Sequence, residues 1–160
     1  MFSKINLNKL LAELGQLRFW VDGSGAEMSV IQSGGLPFKS PTIIEAIKEI
    51  SDHRSIPALH MMVNRLPPGV TTPKHVDFLK PSTHQPKYPI LERYHLPIIT
   101  NPSAYYWNED EPESKIHMKA GFWYGFIKYW RLHEVGNLGD TERIHLIVDL
   151  DSPTPIGSYK

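Results

Sequence analysis

The spacing of apolar positions in the first third of the chain predicts two amphipathic helices. Between Ile5 and Leu17 the leucines recur three and four residues apart, which places them on one face of a helix. Ser40 followed by Pro41 is a favourable helix start, because serine caps the first turn and proline has the φ angle that this turn requires. The second helix is predicted to continue to about Ser51. Its buried stripe consists of Ile43, Ile44, Ile47 and Ile50.

After residue 57 the pattern changes to short runs of aromatic and β-branched residues, separated by clusters of proline, glycine, asparagine and aspartate. Antiparallel strands at such spacing, preceded by two helices, are typical of a jelly roll. We therefore predict a mainly β fold, a cupin-like double-stranded β-helix with the two helices packed outside. A single domain is expected over 1–160, with a helical part at 1–57 and a barrel at 58–150. The proline-rich segment Lys80–Pro89 is predicted to be a loop. The predicted strands are Ala58–Leu66, Arg93–Thr100, Ala104–Trp107, Lys115–Lys119, Gly121–Ile127 and Arg143–Leu150.

The composition narrows the functions that this fold could have. Lys plus Arg and Asp plus Glu both number 17, so no net charge favours a nucleic acid or an anionic membrane as partner. No apolar run reaches the roughly 18 residues of a membrane-spanning helix, and we expect a soluble, cytoplasmic protein. Because the chain contains no cysteine, disulfides, iron–sulfur sites and thiol nucleophiles are excluded. A metal ion would have to be held by histidine, aspartate or glutamate.

Three residues form a candidate metal site. His75 and Asp77 are two apart, so on an extended chain both side chains project to the same face, roughly 7 Å apart at Cα. A third ligand has to come from elsewhere in the fold, and His133 lies in LHEVGN, just before a predicted turn over 136–140. Two imidazoles and one carboxylate suit iron(II) and leave open positions for a chelating 2-oxo acid and dioxygen. An H-x-D triplet alone is weak evidence for a metal site, and the alternative interpretation is a surface turn.

Arg143 adds a candidate anion site. It begins the apolar strand RIHLIVDL shortly after His133, so it is expected to be buried beside the metal, where a guanidinium needs an anion. The distal carboxylate of 2-oxoglutarate would fit, since a guanidinium binds a carboxylate through two parallel hydrogen bonds. Strand alternation places His145 and Asp149 on the same face as Arg143, as expected of a lined cavity. The alternative is a structural ion pair of Arg143 with Glu142 or Asp149.

These residues lie in blocks that resemble the aspartyl/asparaginyl β-hydroxylase family of 2-oxoglutarate oxygenases. The resemblance runs from about Leu66 to Asp149 and consists of LPPGVTTPKHVD, RYHLPIITN, IHMKAGFWY and LHEVGNLGDTERIHLIVD. It implies iron(II) as cofactor, 2-oxoglutarate and dioxygen as cosubstrates, and succinate and carbon dioxide as co-products. The substrates implied are protein side chains or, in some branches, free amino acids such as proline.

The resemblance also implies roles for individual residues. Some family members bind iron through two histidines only, whereas Asp77 completes a triad here and resembles the bacterial, small-molecule branch. Nothing in the four blocks specifies the substrate that is hydroxylated. The implied site residues are His75 and His133 for iron and, for 2-oxoglutarate, Arg143 as the clamp of the far carboxylate with Arg93 and His95 as further contacts.

Two other classes of function stay open. A cupin-type metal isomerase or hydrolase is one, because the same ligand types hold catalytic zinc, although Arg143 and the absence of H-E-x-x-H argue against it. A non-catalytic ligand-binding cupin is the other, and the complete triad argues against that. Without the family resemblance, His95 would be interpreted as a structural histidine. Whether residues 101–108 contact a substrate stays open. No function is predicted for His53, His60 and His84.

Overall fold

The computed structural model describes residues 1–14, 20–21, 23–32, 41–77, 90–125, 127, 129 and 131–152. Within these residues the chain forms two helices and seven strands. Their order is α1 (Leu7–Leu14), β1 (Trp20–Val21), β2 (Glu27–Gln32), α2 (Pro41–Arg54), β3 (Ala58–Leu66), β4 (Ile90–Ile99), β5 (Ala104–Asn108), β6 (His133–Asn137) and β7 (Arg143–Ser152).

Polar side chains cap the start of both helices. α1 begins after Asn6, whose side-chain oxygen accepts a hydrogen bond from the amide of Lys9 at 3.1 Å, as an N-cap does. α2 begins at a proline, and the amide and hydroxyl of Thr42 donate to the carboxylate of Glu13 at 2.9 and 2.6 Å. A carboxylate at a helix N-terminus is favoured by the helix dipole. Glu13 belongs to α1, so this cap also joins the two helices.

Two antiparallel sheets form the β part of the molecule. The larger has the strand order β1-β2-β3-β7-β4, and the smaller pairs β5 with β6. Single backbone bridges add Thr71 and His75 beside β6 and Ile116 beside β5, which widens the smaller sheet. Residues of both sheets line one cavity, so the cavity lies between them.

The apolar core lies on the outer face of the larger sheet, where both helices pack. Strand alternation separates this face from the inner one, which carries polar side chains. The described helices include none that is both long and apolar enough to cross a membrane. The core side chains include Leu10, Leu14, Ile43, Ala46 and Ile50 of the helices and Met61, Val63, Leu96, Leu146, Val148 and Leu150 of the strands.

The predicted fold class, mainly β with two helices outside a cupin-like barrel, is confirmed. Of the elements, β3 has the predicted bounds, and α2, β4, β5 and β7 lie within a few residues of theirs. The predicted helix cap at Ser40, the end of the first predicted helix and the loop Lys80–Pro89 lie outside the described residues.

Two predicted strands are wrong. Where the structure describes 115–119 and 121–127, it contains isolated bridges rather than strands: Ile116 pairs with β5, Phe122 with Phe2 and Tyr124 with β4. The backbone turns between these bridges at Gly121, which has φ +79°. Each short stretch therefore has a different partner, and no continuous ladder forms.

Three strands were not predicted. β6 extends to Asn137, into the segment that was predicted to turn. Gly136 and Asn137 are residue types common in turns, but here Gly136 lies directly opposite Tyr105 of β5. β1 and β2 lie within the part that was expected to be helical, and they extend the larger sheet through pairing with β3.

Candidate active site

A hydrogen-bonded pair of residues brings the two predicted histidine ligands together. The amide of His75 donates to the carbonyl of His133 at 2.9 Å, and the amide of His133 donates back to the carbonyl of His75 at 2.8 Å. Residues paired in this way lie about 5.5 Å apart at Cα, with both side chains on the same face of the sheet. The two ring centroids are 4.4 Å apart. This pairing joins positions that are distant in the sequence.

Asp77 lies on the same side, as the H-x-D spacing predicts. One donor atom from each of His75, Asp77 and His133 lies within 4.8 Å of the other two. Nε2 of His75 is 3.2 Å from Oδ1 of Asp77, and Nε2 of His133 is 3.8 Å from Oδ2. The structure therefore brings the three predicted metal ligands together.

The other ring nitrogen of each histidine is held by the backbone. Nδ1 of His75 lies 2.7 Å from the carbonyl of Pro73, and Nδ1 of His133 lies 2.9 Å from the carbonyl of Arg131. A carbonyl only accepts, so each Nδ1 carries the hydrogen and each Nε2 keeps its lone pair. Metal-binding histidines are commonly oriented by such a bond. Both imidazoles are thus set to bind a cation through Nε2.

The charges of the three groups suit a cation as well. Burial opposes ionisation of Asp77, but its polar contact with His75 and the charge of Arg93 hold the pKa of its carboxyl well below the usual range. Burial lowers the pKa of His133, which favours the neutral imidazole that a metal requires. Two neutral imidazoles and one carboxylate match the ligand set of non-haem iron(II). The three residues fit such an ion.

A cavity of about 510 Å³ adjoins this triad between the two sheets. That volume is within the range of small-molecule sites. Its wall on the side of the larger sheet comes from alternate positions of β3, β4 and β7, which is the inner face predicted for β7 from strand alternation. The lining includes His60, Met62, Asn64, Thr72, Arg93, His95, Tyr106, Ile127, Val135, Arg143, Ile147 and Asp149 together with the triad.

Arg143 is a buried cation without a carboxylate partner in the described part of the chain. It is 1% exposed, and its guanidinium donates to Oδ1 of Asn64 at 2.8 Å and to Nδ1 of His145 at 3.0 Å. Neither proposed structural partner is available, because Glu142 pairs with Arg65 and Asp149 lies beside a different arginine. Burial lowers the pKa of Arg143 to about 9.

Arg93 and His95 also line the cavity, but their surroundings differ. Arg93 makes a two-fold ion pair with Asp149 at 2.7 and 2.9 Å and donates a third hydrogen bond to Asp77. These contacts raise the pKa of Arg93, although its burial alone would lower it. His95 has no hydrogen-bond partner at Nδ1, and burial followed by the charge of Arg143 holds its pKa well below the usual value.

Two residues of the cavity lining, and His145 next to Arg143, have buried polar atoms without partners among the described residues. Among the described side chains, those with such atoms include Nδ1 of His95, the hydroxyl of Tyr106 and Nε2 of His145. Because Nδ1 of His145 accepts a hydrogen bond from Arg143, its Nε2 carries a hydrogen that nothing in the described chain accepts. Buried polar groups are nearly always paired, so these atoms call for a ligand or ordered water. A cation beside unpaired polar groups fits an anionic, oxygen-rich ligand such as a dicarboxylate.

Several cavity residues were missed from the sequence. Asn64 and His60 lie on the same face of β3, two strand repeats apart, which alternation in ALHMMVNRL would have indicated. His60, for which no function was predicted, lies 3.3 Å from Oδ2 of Asp149 through Nδ1. Tyr106 stacks on His133 with ring centroids 5.8 Å apart. No sequence signal distinguished Tyr106 from its aromatic neighbours.

Comparison with known proteins gives one family match and several matches of fold. The family model described as Aspartyl/Asparaginyl beta-hydroxylase matches residues 37–153. No curated protein matches the chain in sequence. One similar solved structure is a Pseudomonas putida prolyl-4-hydroxylase, with 14% identity, 96% of this chain and 91% of that chain covered, and a TM-score of 0.69.

Two further solved structures have a similar fold. One is the viral collagen prolyl hydroxylase from Paramecium Bursaria Chlorella virus-1 in its 2OG complex, with 14% identity, coverage of 94% and 93%, and a TM-score of 0.68. The other is an oxidoreductase of the 2OG-Fe(II) oxygenase family from Burkholderia pseudomallei, with 14% identity, coverage of 91% and 77%, and a TM-score of 0.63. At this identity the likeness is one of fold, and it confirms the predicted double-stranded β-helix.

Proposed function

The chain belongs to the aspartyl/asparaginyl β-hydroxylase family, and from this premise we propose which of its residues bind iron(II), which bind 2-oxoglutarate, and what class of substrate it hydroxylates. Membership confirms the predicted enzyme class, a dioxygenase hydroxylase that uses iron(II), 2-oxoglutarate and dioxygen. The residue roles and the substrate are the proposal.

His75, Asp77 and His133 hold the iron. The support is their geometry: three donor atoms within 4.8 Å of one another, with both Nδ1 atoms bonded to backbone carbonyls so that the Nε2 lone pairs are free. Three protein ligands leave three positions of an octahedral ion for other ligands. Asp77 supplies the one negative charge of this set.

Arg143 binds the distal carboxylate of 2-oxoglutarate. The observation that carries this assignment is a buried guanidinium, 1% exposed and without a described carboxylate partner, in the same cavity as the triad. A buried cation of this kind is costly unless an anion pairs with it. Asn64 and His145 hold the guanidinium in place. His95, whose Nδ1 is unpaired, is a further contact for the same ligand.

Iron(II) held by these three residues would supply, with 2-oxoglutarate and dioxygen, the chemistry that inserts one oxygen atom into a substrate C–H bond while 2-oxoglutarate becomes succinate and carbon dioxide. The chain itself binds and orients the reactants. Arg143 fixes one end of the dicarboxylate, and the triad fixes the other. Apolar side chains, among them Met62, Val135 and Ile147, complete the wall and limit the water around the reacting groups.

The substrate class is an aspartyl or asparaginyl side chain of a protein or peptide, or else a free amino acid or a related small molecule. The family description names aspartyl and asparaginyl hydroxylation, and two proteins of similar fold are named prolyl hydroxylases. All of these are oxidations of amino acids. Screening free amino acids and peptides for the gain of one oxygen atom by mass spectrometry identifies the substrate.

The first test is a spectroscopic titration without oxygen. Iron(II) and then 2-oxoglutarate are added to metal-free protein, and the visible charge-transfer band of an iron-bound 2-oxo acid is recorded. We expect the band in the wild type and its absence in His75→Ala. If the wild type binds iron but gives no band, the proposed function fails, and a cupin isomerase or a ligand-binding cupin takes its place.

A further inference from the structure

Arg93 binds two carboxylates at once. Its side chain is 8% exposed, and its Nε and one terminal nitrogen donate to Asp149 at 2.7 and 2.9 Å in a parallel pair. The other terminal nitrogen donates to Oδ2 of Asp77. The guanidinium therefore bridges a carboxylate of the larger sheet and a carboxylate of the proposed iron site.

The contact of Arg93 with Asp149, on the larger sheet, is held in place by the protein itself and needs no bound ligand. The β4–β7 register places Arg93 directly opposite Asp149, which is 1% exposed and also lies within hydrogen-bonding distance of His60. The ring of Tyr129 packs over the guanidinium at 4.5 Å. A planar fork paired in this way has a defined orientation.

The carboxylate of Asp77, at the other end of the bridge, depends on Arg93 for its orientation. Asp77 lies outside the named strands, two residues after the bridge of His75 with His133, and its amide donates to the carbonyl of Tyr129 at 3.0 Å. Its side chain is 33% exposed. The two histidines present lone pairs at Nε2 in the tautomer that binds a metal, so they do not donate to its carboxylate. Within the described residues, Arg93 is the arginine or lysine that reaches this carboxylate. It holds Oδ2 and leaves Oδ1 on the side of His75, where an ion would bind.

We propose that Arg93 is a positioning residue of the metal site: Asp149 anchors it, and it orients the Asp77 carboxylate toward the ion instead of contacting 2-oxoglutarate. The inference rests on the proposed function for the identity of the metal ligands. It replaces the role that family resemblance implies for Arg93. The two buried arginines then have different roles, since among the described residues Arg143 has no carboxylate partner while Arg93 has two.

The experiment measures metal binding with no cosubstrate present. Zinc(II) is titrated calorimetrically into metal-free wild type, Arg93→Lys and Asp149→Asn. Arg93→Lys keeps the charge but lacks the planar fork that bonds Asp149 through two nitrogens while a third reaches Asp77. Asp149→Asn removes the anchor with little change of shape. Loss of a residue that orients a ligand costs about 10- to 100-fold in metal affinity, which is the loss expected in both variants.

Arg54→Lys is the matched control. Arg54 makes a similar two-fold ion pair with Glu92, at 2.9 and 3.1 Å, and neither residue lines the cavity. Its substitution should leave zinc affinity unchanged. Thermal unfolding followed by circular dichroism fixes a temperature at which all variants are folded.

A double-mutant cycle separates positioning from general destabilisation. If Arg93 acts through Asp77, Arg93→Lys should have no further effect on zinc affinity in an Asp77→Asn background. Cobalt(II) gives a second readout, because its visible spectrum depends on coordination number. Arg93→Lys should shift the cobalt spectrum toward that of Asp77→Asn.

The outcomes distinguish this inference from the proposed function. Unchanged zinc affinity in Arg93→Lys, together with weakened 2-oxoglutarate binding by the metal-loaded variant, overturns the inference and makes Arg93 a cosubstrate contact. Additive effects of Arg93→Lys and Asp77→Asn overturn it too. A wild type that binds zinc and responds as expected but never binds 2-oxoglutarate supports the inference while the proposed function fails.

Discussion

Replacement of Arg143 by glutamine should weaken 2-oxoglutarate binding without affecting the metal. Burial lowers the pKa of this guanidinium from 12.5 to about 9. A buried guanidinium without an anion is costly, so a carboxylate that pairs with it recovers part of that cost. Two charge-assisted hydrogen bonds contribute about 1.5 to 3 kcal/mol each. We expect a loss of about 3 to 4 kcal/mol, or about 10²- to 10³-fold in affinity.

The assay compares two 2-oxo acids that differ at the distal end. Pyruvate has the chelating carboxylate and keto oxygen of 2-oxoglutarate but no distal carboxylate. Metal-loaded wild type should prefer 2-oxoglutarate over pyruvate by about the factor that Arg143→Gln loses, and the variant should bind both acids with similar affinity. Arg65→Gln is the control, because Arg65 is an arginine of β3 whose partner is Glu142 and which does not line the cavity.

One result would refute this reasoning. If Arg143→Gln still prefers 2-oxoglutarate over pyruvate as strongly as the wild type does, another group binds the distal carboxylate. The variant is expected to fold, because the glutamine amide can still donate to Asn64 and an unpaired buried charge has been removed. Circular dichroism and an unchanged zinc affinity verify that the site is intact.

Three further substitutions test the metal site and the fold. His133→Ala should abolish metal binding in the calorimetric titration, since only two ligands remain. Glu49→Gln should cost about 1 to 2 kcal/mol in urea unfolding at neutral pH, because the carboxylate accepts three hydrogen bonds, two from the N-terminal segment and one from Trp123. Glu45→Gln on the exposed side of α2 should cost little. Burial alone would raise the pKa of Glu49, but these hydrogen bonds outweigh it and lower the pKa below its usual value of 4.5. Their contribution to the free energy of unfolding is therefore fully present above pH 4.5 and should disappear as the pH falls through the pKa of the folded protein. Gly136→Ala should cost about 1 to 3 kcal/mol in the same assay, since its Cβ would lie 2.4 Å from the ring of Tyr105.

Local sequence patterns predicted correctly those elements that can be recognised without knowing which strand they pair with. Alternation fixed β3, and the two-residue spacing of His75 and Asp77 placed both side chains on one face. The stretch 115–127 failed because its residues pair singly with three different elements, which no local pattern encodes. The prediction of a turn at Gly136 was wrong for a related reason. Glycine is needed at this position of β6 because the ring of Tyr105 lies opposite it.

The partners of the two arginines could not be predicted, because they depend on strand register. Asp149 shares a face of β7 with Arg143, which suggested an ion pair, yet six residues of strand separate their Cα atoms by about 20 Å. The β4–β7 register instead places Asp149 opposite Arg93. Arg143 is left with the neutral partners Asn64 and His145.

The division between the two arginines follows from charge. The formally charged side chains that line the described cavity are Asp77, Arg93, Asp149 and Arg143, two of each sign, and the buried histidines His95 and His145 are held neutral. Iron(II) alone would leave this cavity with two excess positive charges, and a dicarboxylate alone would leave two negative ones. Either excess is unfavourable beside charges as buried as those of Arg93, Arg143 and Asp149. Iron(II) with 2-oxoglutarate restores neutrality. Because Arg93 already pairs with Asp149 and Asp77, Arg143 is the arginine of the described cavity lining that is left to pair with an anionic ligand.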